Sequence, residues 1–260
     1  MKEKIIAVDL DGTLAKSDSF LSINTIKGIQ KLTQLGYKVI LTTGRTWMGT
    51  KNLYETTKLD TPLVLYNGAY VYLPSKKQVM QSITIEREFV FELLQNDEFL
   101  ELIDNVVAEY QEQSFVLRHM SWLPDEIPGD FRKTLQIDPT AVIFRVKNRE
   151  CQEKMKELIG RSSEYAYRYW GDHFGEVYHK TLSKKDGIEV VLKYYGATKK
   201  DLIFFGDSQN DVEIIEYANV GVAMANAKDY IKAAADEITK YSNDEDGVIR
   251  HLFEKIGIPE

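Results

Sequence analysis

The chain of 260 residues is 43% hydrophobic and 28% charged, and its net charge of −7 argues against general binding to nucleic acid. This composition is that of an ordinary globular protein with one large domain or two unequal ones. No stretch approaches the roughly 20 apolar residues of a membrane span, "MKEKIIAVDLDG" does not read as a signal peptide, and a single cysteine favours a reducing cytoplasm.

Short apolar runs recur near both ends of the chain and are separated by helical patterns. The runs are "KIIAVDLDG", "KVILTTGR", "PLVLYNGA", "DLIFFGDSQND" and "NVGVAMANA". Such continuous runs are typical of parallel strands that are covered on both faces. The segment "SINTIKGIQKLTQLG" has helical apolar spacing, with Asn24 predicted as its N-cap and Gly36 as its stop. The alternation predicts an α/β fold with a Rossmann-like, doubly wound parallel sheet.

The middle of the chain has a different pattern, with less regular apolar runs and frequent aromatic residues. It predicts helices at about 86–112 and 149–161, and strands in "QSFVLRH", "TAVIFRVKN" and "YAYRYWGDHFGEVY". We interpret residues 82–179 as an inserted α+β cap domain, and 1–81 together with 180–260 as the core domain. The alternative is one continuous domain with an irregular middle.

Polar residues follow several of the predicted strands of the core. Those at or just after a strand end are Asp9, Thr43, Asn67 and Asp207. Because ligands of open parallel sheets bind outside the carboxyl ends of the strands, we expect these residues to converge on one crevice.

The residue types in this crevice suit the transfer of a phosphoryl group. A carboxylate such as Asp9 can attack phosphorus, and a second carboxyl such as Asp11 can serve as general acid and base. Asp207 and Asp211 add oxygen ligands of the kind that Mg²⁺ prefers. Gly12, Thr43, Gly44 and Lys184 offer backbone amides, a hydroxyl and a cation to phosphoryl oxygens. The alternative for Asp9 and Asp11 is a structural role in capping a helix or closing a turn.

Four ordered motifs resemble those of the haloacid dehalogenase-like phosphatases. They are "DLDGTL", "LTTGR", "SK" at 183–184 and "GDSQND". The phrases "YNGA", "VGVAMANA" and "SNDEDGV" are similar to the Cof-type, class IIB branch of that family. In this family the cap is inserted between the second and third motifs, which here means between Arg45 and Lys184.

The resemblance implies a role for each motif residue. Asp9 would be the nucleophile and Asp11 the general acid and base. Mg²⁺ would be bound by Asp9, the backbone carbonyl of Asp11, Asp207 and, directly or indirectly, Asp211. The phosphate would be held by Leu10, Gly12, Thr43, Gly44, Lys184 and Asn210. Family members often have glycine after the lysine of the third motif, whereas Lys185 stands there in this chain, so Lys185 is an alternative to Lys184.

Further residues are candidates for facing the substrate. They are Arg45, Asn67, His119, Trp122, Arg145, Arg168, Trp170 and His173. Arg45 could instead anchor a domain interface by pairing with a carboxylate. Asn67 could form a structural Asn-Gly turn, and the cap aromatics could fill the small core of the cap.

The leading hypothesis is a Mg²⁺-dependent phosphatase that acts through an aspartyl-phosphate. The resemblance suggests small-molecule substrates such as sugar phosphates, flavin mononucleotide or pyridoxal phosphate. The net charge and the lack of a long apolar stretch predict neither nucleic acid nor membrane as a partner. One alternative is a phosphomutase of the same class, which would return the phosphoryl group to its substrate. Another is a phospho-acceptor or phosphate-binding regulatory protein. The oligomeric state is not specified by the sequence.

Overall fold

The computed structural model describes residues 4–111, 113–120, 123 and 126–258. Its strands are β1 Ile5–Asp9, β2 Lys38–Thr42, β3 Leu63–Leu65, β4 Tyr70–Leu73, β5 Gln78–Ser82, β6 Ile103–Tyr110, β7 Gln113–Val116, β8 Glu126–Pro128, β9 Ala141–Val146, β10 Tyr165–Trp170, β11 Phe174–His179, β12 Leu202–Gly206, β13 Val220–Ala223 and β14 Glu237–Ile238. Its α-helices are α1 Ile23–Gln34, α2 Trp47–Thr57, α3 Arg87–Leu93, α4 Asp97–Leu102, α5 Phe131–Thr134, α6 Arg149–Gly160, α7 Lys184–Tyr194, α8 Val212–Tyr217, α9 Asp229–Lys232 and α10 Gly247–Ile256. None of the helices in these ranges is long and apolar enough to cross a membrane.

The core unit contains an eight-stranded sheet in the order β14-β13-β12-β1-β2-β3-β4-β5. From β14 to β3 neighbouring strands are parallel, and β4 runs antiparallel to β3. All five residues of β1 are buried, because β12 and β2 flank it and helices cover the sheet. The doubly wound α/β core that the sequence predicts is therefore confirmed.

The second compact unit spans Ser82–Leu182, whereas the sequence prediction ended this insert at 179. It contains a six-stranded sheet in the order β10-β11-β9-β6-β7-β8, antiparallel except where β7 meets β8. Its buried core includes Val106, Phe144 and Tyr167 from the strands and Phe99 and Met155 from α4 and α6. Helices therefore cover one face of this sheet, as in other α+β units.

The predicted N-cap of α1 is wrong. Ser22, not Asn24, precedes the first helical residue, and its hydroxyl accepts a hydrogen bond of 2.9 Å from the Thr25 amide. Asn24 lies in the first turn, where its side-chain amide donates to Asp246 at 3.2 Å. Both residue types cap helices well, so the pattern alone did not separate them. The predicted stop is consistent with Gly36, which adopts a left-handed φ of +89° just after the helix.

The predicted helix at 86–112 is also wrong. Two short helices, α3 and α4, end at Leu102, and residues 103–110 form the strand β6. This segment pairs with β9 along one edge and with β7 along the other, so it is a central strand of the sheet. Val106 and Ala108 fit a strand because alternate residues point to the same face, and tertiary pairing outweighed the helical pattern.

Gly221 in β13 is the position where we expect an added methyl group to disturb the core sheet. An alanine Cβ there would lie 2.1 Å from the carbonyl oxygen of Ile215, whereas one at Gly160 would meet no heavy atom within 4 Å. We expect Gly221→Ala to lower the free energy of unfolding by about 1–3 kcal/mol. Gly160→Ala, the control, should leave it unchanged or slightly higher. Urea denaturation measures both, and equal stability of the two variants would contradict the packing described for β13.

Candidate active site

Three neighbouring strands of the core sheet bring polar residues to one edge. Asp9 is the last residue of β1, Thr43 follows β2, and Asp207 follows β12. The strands are parallel and adjacent, with Asp9 opposite Thr42 and Val8 opposite Phe205 in the register. Their carboxyl ends therefore meet at the same edge, which is where ligands of such sheets bind.

An acidic cluster lies at this edge and consists of Asp9, Asp207 and Asp211. One carboxylate oxygen from each residue lies within 4.8 Å of the others. Asp9 and Asp211 are buried and Asp207 is half-buried. Asp211 is held by the turn before α8, where its Oδ2 accepts hydrogen bonds from the amides of Asp207 and Ser208 at 3.1 and 3.0 Å.

Lys184 provides the positive charge at the cluster. It is the first residue of α7, its side chain is 1% exposed, and its Nζ donates to Asp9 at 2.5 Å and to Asp211 at 2.7 Å. Burial opposes the ammonium form, but the Asp211 and Asp9 carboxylates outweigh burial and raise the pKa of Lys184. One ammonium faces three carboxylates, so the cluster keeps a formal excess of negative charge.

Burial also raises the pKa of Asp9 well above its usual value, although the adjacent Lys184 ammonium acts in the opposite direction. The pKa of Asp207 is raised as well, mainly by burial. Hard oxygen donors in this arrangement fit a divalent cation such as Mg²⁺.

Lys185, the alternative for the third motif, lies elsewhere on α7. Its Nζ pairs with Glu213 at 2.7 Å at the protein surface. One residue along a helix turns a side chain by about 100°, so the two lysines point in different directions. Lys184 alone of the two contacts the acidic cluster.

Asp11 lies outside the acidic cluster and is paired with Arg45. The Arg45 Nε donates to Asp11 at 2.8 Å, and a second guanidinium nitrogen contacts the other carboxylate oxygen. Such a two-point contact fixes the carboxyl group more precisely than a single hydrogen bond does. The sequence left two roles open for Arg45, a substrate contact or a domain anchor that pairs with a carboxylate. The carboxylate that it contacts is that of Asp11, in the same core unit.

Gly12 and Thr13 complete the loop after β1. Gly12 adopts a φ of +77°, and a Cβ at this position would lie 2.4 Å from Asp207 Oδ2. Glycine is therefore required here both by conformation and by space. Thr13, which sequence reasoning did not single out, donates its hydroxyl hydrogen to Asp207 at 2.7 Å. The threonine of "DGT" was the sequence signal that could have identified Thr13 as part of the site.

The other predicted phosphate-binding residues surround this edge. The Thr43 hydroxyl accepts a hydrogen bond from the Arg45 amide at 3.0 Å. Asn210 lies in the turn Gln209–Asp211, and its Nδ2 donates to Asn67 Oδ1 at 2.7 Å. Leu10, which stands between Asp9 and Asp11 in the sequence, is fully buried. Their phosphate contacts, and the metal contact of the Asp11 carbonyl, stay predictions.

The substrate-facing candidates of the cap lie on its strands and turns. Arg145, Arg168 and Trp170 share one face of the cap sheet, because Arg145 and Trp170 both pair with Phe174, and Arg168 lies two residues before Trp170. Phe144 points to the opposite, helix-covered face. Arg168 Nε donates to the buried Glu176 at 2.6 Å.

The two histidines among these candidates have other partners within the cap. His119 contacts the carboxylate of Glu126, and His173 Nδ1 lies 3.1 Å from the carbonyl oxygen of Val146. Trp122 lies outside the described residues. The structure thus groups Arg145, Arg168 and Trp170 on one surface and leaves the substrate role of each a prediction.

The chain is similar to known proteins over nearly its whole length. A family model described as haloacid dehalogenase-like hydrolase matches residues 6–252. A 5-amino-6-(5-phospho-D-ribitylamino)uracil phosphatase of Bacillus subtilis is 33% identical over 264 residues, covering 97% of both chains. A pyridoxal phosphate phosphatase of Escherichia coli is 26% identical and covers 97% of this chain and 98% of its own. A haloacid dehalogenase-like hydrolase from Bacteroides thetaiotaomicron, at 24% identity, has a similar fold with a TM-score of 0.87, covering 98% of this chain and 100% of that one.

The environments of Lys184 and Lys185 predict losses of stability of very different size. Lys184→Met leaves two buried carboxylates without their cation, so we expect the free energy of unfolding to fall by about 3–5 kcal/mol. Lys185→Met, the control, removes a surface pair and should cost less than about 1 kcal/mol. Chemical denaturation in the presence of a chelator measures both, since a bound cation could otherwise replace the ammonium. Similar small losses in both variants would contradict the buried position of Lys184.

Proposed function

The chain belongs to the haloacid dehalogenase-like hydrolase family, and we propose that it is a phosphatase that hydrolyses small-molecule phosphate monoesters in a Mg²⁺-dependent reaction. The observation that carries this proposal is the buried carboxylate of Asp9 at the end of β1, beside the Lys184 ammonium and within the acidic cluster. The names of the two relatives support the substrate class, since both are phosphatases of small phosphate esters. Sugar phosphates, flavin mononucleotide and pyridoxal phosphate are the substrates to test first.

In the first step, a carboxylate oxygen of Asp9 attacks phosphorus and forms an aspartyl-phosphate. The bond between phosphorus and the ester oxygen breaks, and its electron pair stays with the leaving oxygen. Asp11 donates a proton to that oxygen, so an alcohol departs rather than a strongly basic alkoxide. Arg45 orients the Asp11 carboxyl group through its two contacts.

In the second step, water attacks the phosphorus of the aspartyl-phosphate. Asp11, now ionised, accepts a proton from this water, and the bond between phosphorus and the Asp9 oxygen breaks. Inorganic phosphate is released and both aspartates return to their starting forms. The Lys184 ammonium remains beside Asp9 throughout and stabilises negative charge close to the reacting oxygen.

The residues that would hold Mg²⁺ are Asp9 and Asp207, with Asp211 in support. Three carboxylates around one point suit this ion, and their charge exceeds that of the single Lys184 ammonium, which supports the proposal. When bound, Mg²⁺ offsets the repulsion between these carboxylates and the phosphoryl oxygens.

Substitution of the two aspartates of the first motif tests their roles. Asp9→Asn removes the nucleophile and should reduce phosphate release by about 10⁴-fold or more. Asp11→Asn removes the proton path and should reduce it by about 10²–10⁴-fold. Asp18→Asn changes an exposed aspartate in the same loop region and serves as the control. Near-normal release by Asp9→Asn would contradict the mechanism, and circular dichroism checks that each variant is folded.

The metal requirement and the substrate class are tested together by measuring phosphate release from a panel of phosphate esters. We expect release from one or more small esters with Mg²⁺ and none after addition of a chelator, because charge repulsion then disfavours substrate binding. An isomerised phosphosugar in place of free phosphate would favour the phosphomutase. A panel without any Mg²⁺-dependent release would contradict the proposed function.

A further inference from the structure

The turn Tyr66–Gly68 after β3 has an unusual backbone. Its three residues have consecutive positive φ angles of 49°, 52° and 104°. Asparagine and glycine tolerate this region, but a bulky residue such as Tyr66 rarely adopts it. Left-handed conformations of non-glycine residues cost about 1–3 kcal/mol and persist where surrounding contacts determine them.

Two segments of the candidate site hold this turn in place. The amides of Tyr66 and Asn67 donate to the carbonyl oxygens of Arg45 and Thr43 at 3.2 and 3.0 Å. On the other side, a Cβ at Gly68 would lie 2.1 Å from the carbonyl oxygen of Ser183, the N-cap of α7. The turn is therefore packed between the loop after β2 and the start of the helix that carries Lys184.

The side chain of Asn67 reaches from this turn to a third segment of the site. Its Oδ1 accepts a hydrogen bond from Asn210 Nδ2 at 2.7 Å. Its Nδ2 lies 2.7 Å from the position that a Cβ at residue 44 would occupy, so it also closes the space beside Gly44. Asn67 is buried and its backbone is fixed, whereas Asn210 is exposed. Asn67 is thus the anchor of this pair and Asn210 the group that it orients.

We propose that Asn67 is a positioning residue, which acts on the phosphate through Asn210. This inference rests on the proposed function, in which Asn210 contacts the phosphate. A carboxamide is planar, so a hydrogen bond to one of its N–H groups sets the orientation of the whole group. A donor held in advance binds a phosphoryl group without first losing rotational freedom. The backbone strain of the turn is the structural cost of bringing Asn67 to this position.

Asn67→Gly is the decisive variant, because glycine keeps the left-handed backbone and removes only the carboxamide. We expect kcat/KM for phosphate release to fall about 10-fold, the size of one lost positioning contact. The midpoint of thermal unfolding should stay unchanged or rise. The control is Lys58→Gly, which places glycine at an exposed left-handed residue at the end of α2 and should leave kcat/KM unchanged.

A double-mutant cycle distinguishes positioning of Asn210 from a general structural role. If Asn67 acts through Asn210, adding Asn67→Gly to Asn210→Ala should produce no further loss of kcat/KM. If Asn67 has only a structural role, the fold reductions of kcat/KM in the two single variants should multiply in the double variant. Either multiplied losses or wild-type kcat/KM in Asn67→Gly would overturn the inference.

The same double-mutant cycle can be measured without turnover, by calorimetric titration of each variant with inorganic phosphate in the presence of Mg²⁺. If the unsubstituted chain releases no phosphate from any ester but binds inorganic phosphate, the proposed function fails and the cycle of phosphate affinities still decides the inference. We then expect Asn67→Gly to weaken phosphate binding about 10-fold and to have no effect in the Asn210→Ala background. Absence of phosphate binding by the unsubstituted chain would overturn the inference as well.

Discussion

The buried ammonium of Lys184 between Asp9 and Asp211 is the interaction on which the candidate site depends. A lone charge in this position would be very costly. Removal of the ammonium, or of both carboxylates, would leave the opposite charge buried without a partner. Asp9 and Lys184 are separated by 175 positions in the chain. The pair therefore couples a central strand of the core sheet to α7, a helix that follows the inserted cap in the sequence. The end of β1, the turn before α8 and the start of α7 must all be in place before any of these charges is compensated.

The same constraint explains why small residues surround the carboxylates. A Cβ at Gly12 would overlap Asp207, and one at Gly206 would lie 2.5 Å from the Cβ of Asp211. At both places the backbone approaches an acidic side chain more closely than any larger residue would allow. These contacts fix the positions of Asp207 and Asp211 beside the end of β12, as the proposed electrostatic stabilisation requires.

The cap unit presents a different kind of chemistry. One face of its sheet is covered by helices and apolar, and the other carries Arg145, Trp170 and the pair formed by Arg168 with Glu176. Burial raises the pKa of Glu176, while Arg168 acts in the opposite direction. The residues proposed for phosphoryl transfer thus belong to the core unit, whereas Arg145, Arg168 and Trp170 belong to the second unit.

Much of the fold could be predicted from local patterns. The continuous apolar runs predicted the parallel strands, and the spacing at 149–161 predicted α6 to within one residue of its end. Prediction failed where the local sequence fitted more than one structure. Ser22 and Asn24 are both good caps, and residues 103–110 lie in a helix-like pattern that becomes a strand only when β7 and β9 flank it.

By itself, the sequence determined the family, the α/β core with its insert, and the spacing of the acidic motifs. These follow from short patterns, because strand ends and turns depend mainly on neighbouring residues. Only the tertiary structure decided that Lys184 rather than Lys185 reaches Asp9, that Arg45 binds Asp11, and that Asn67 binds Asn210. Each of these contacts joins residues from separate elements, and their direction depends on how strands and helices pack, which no local pattern records.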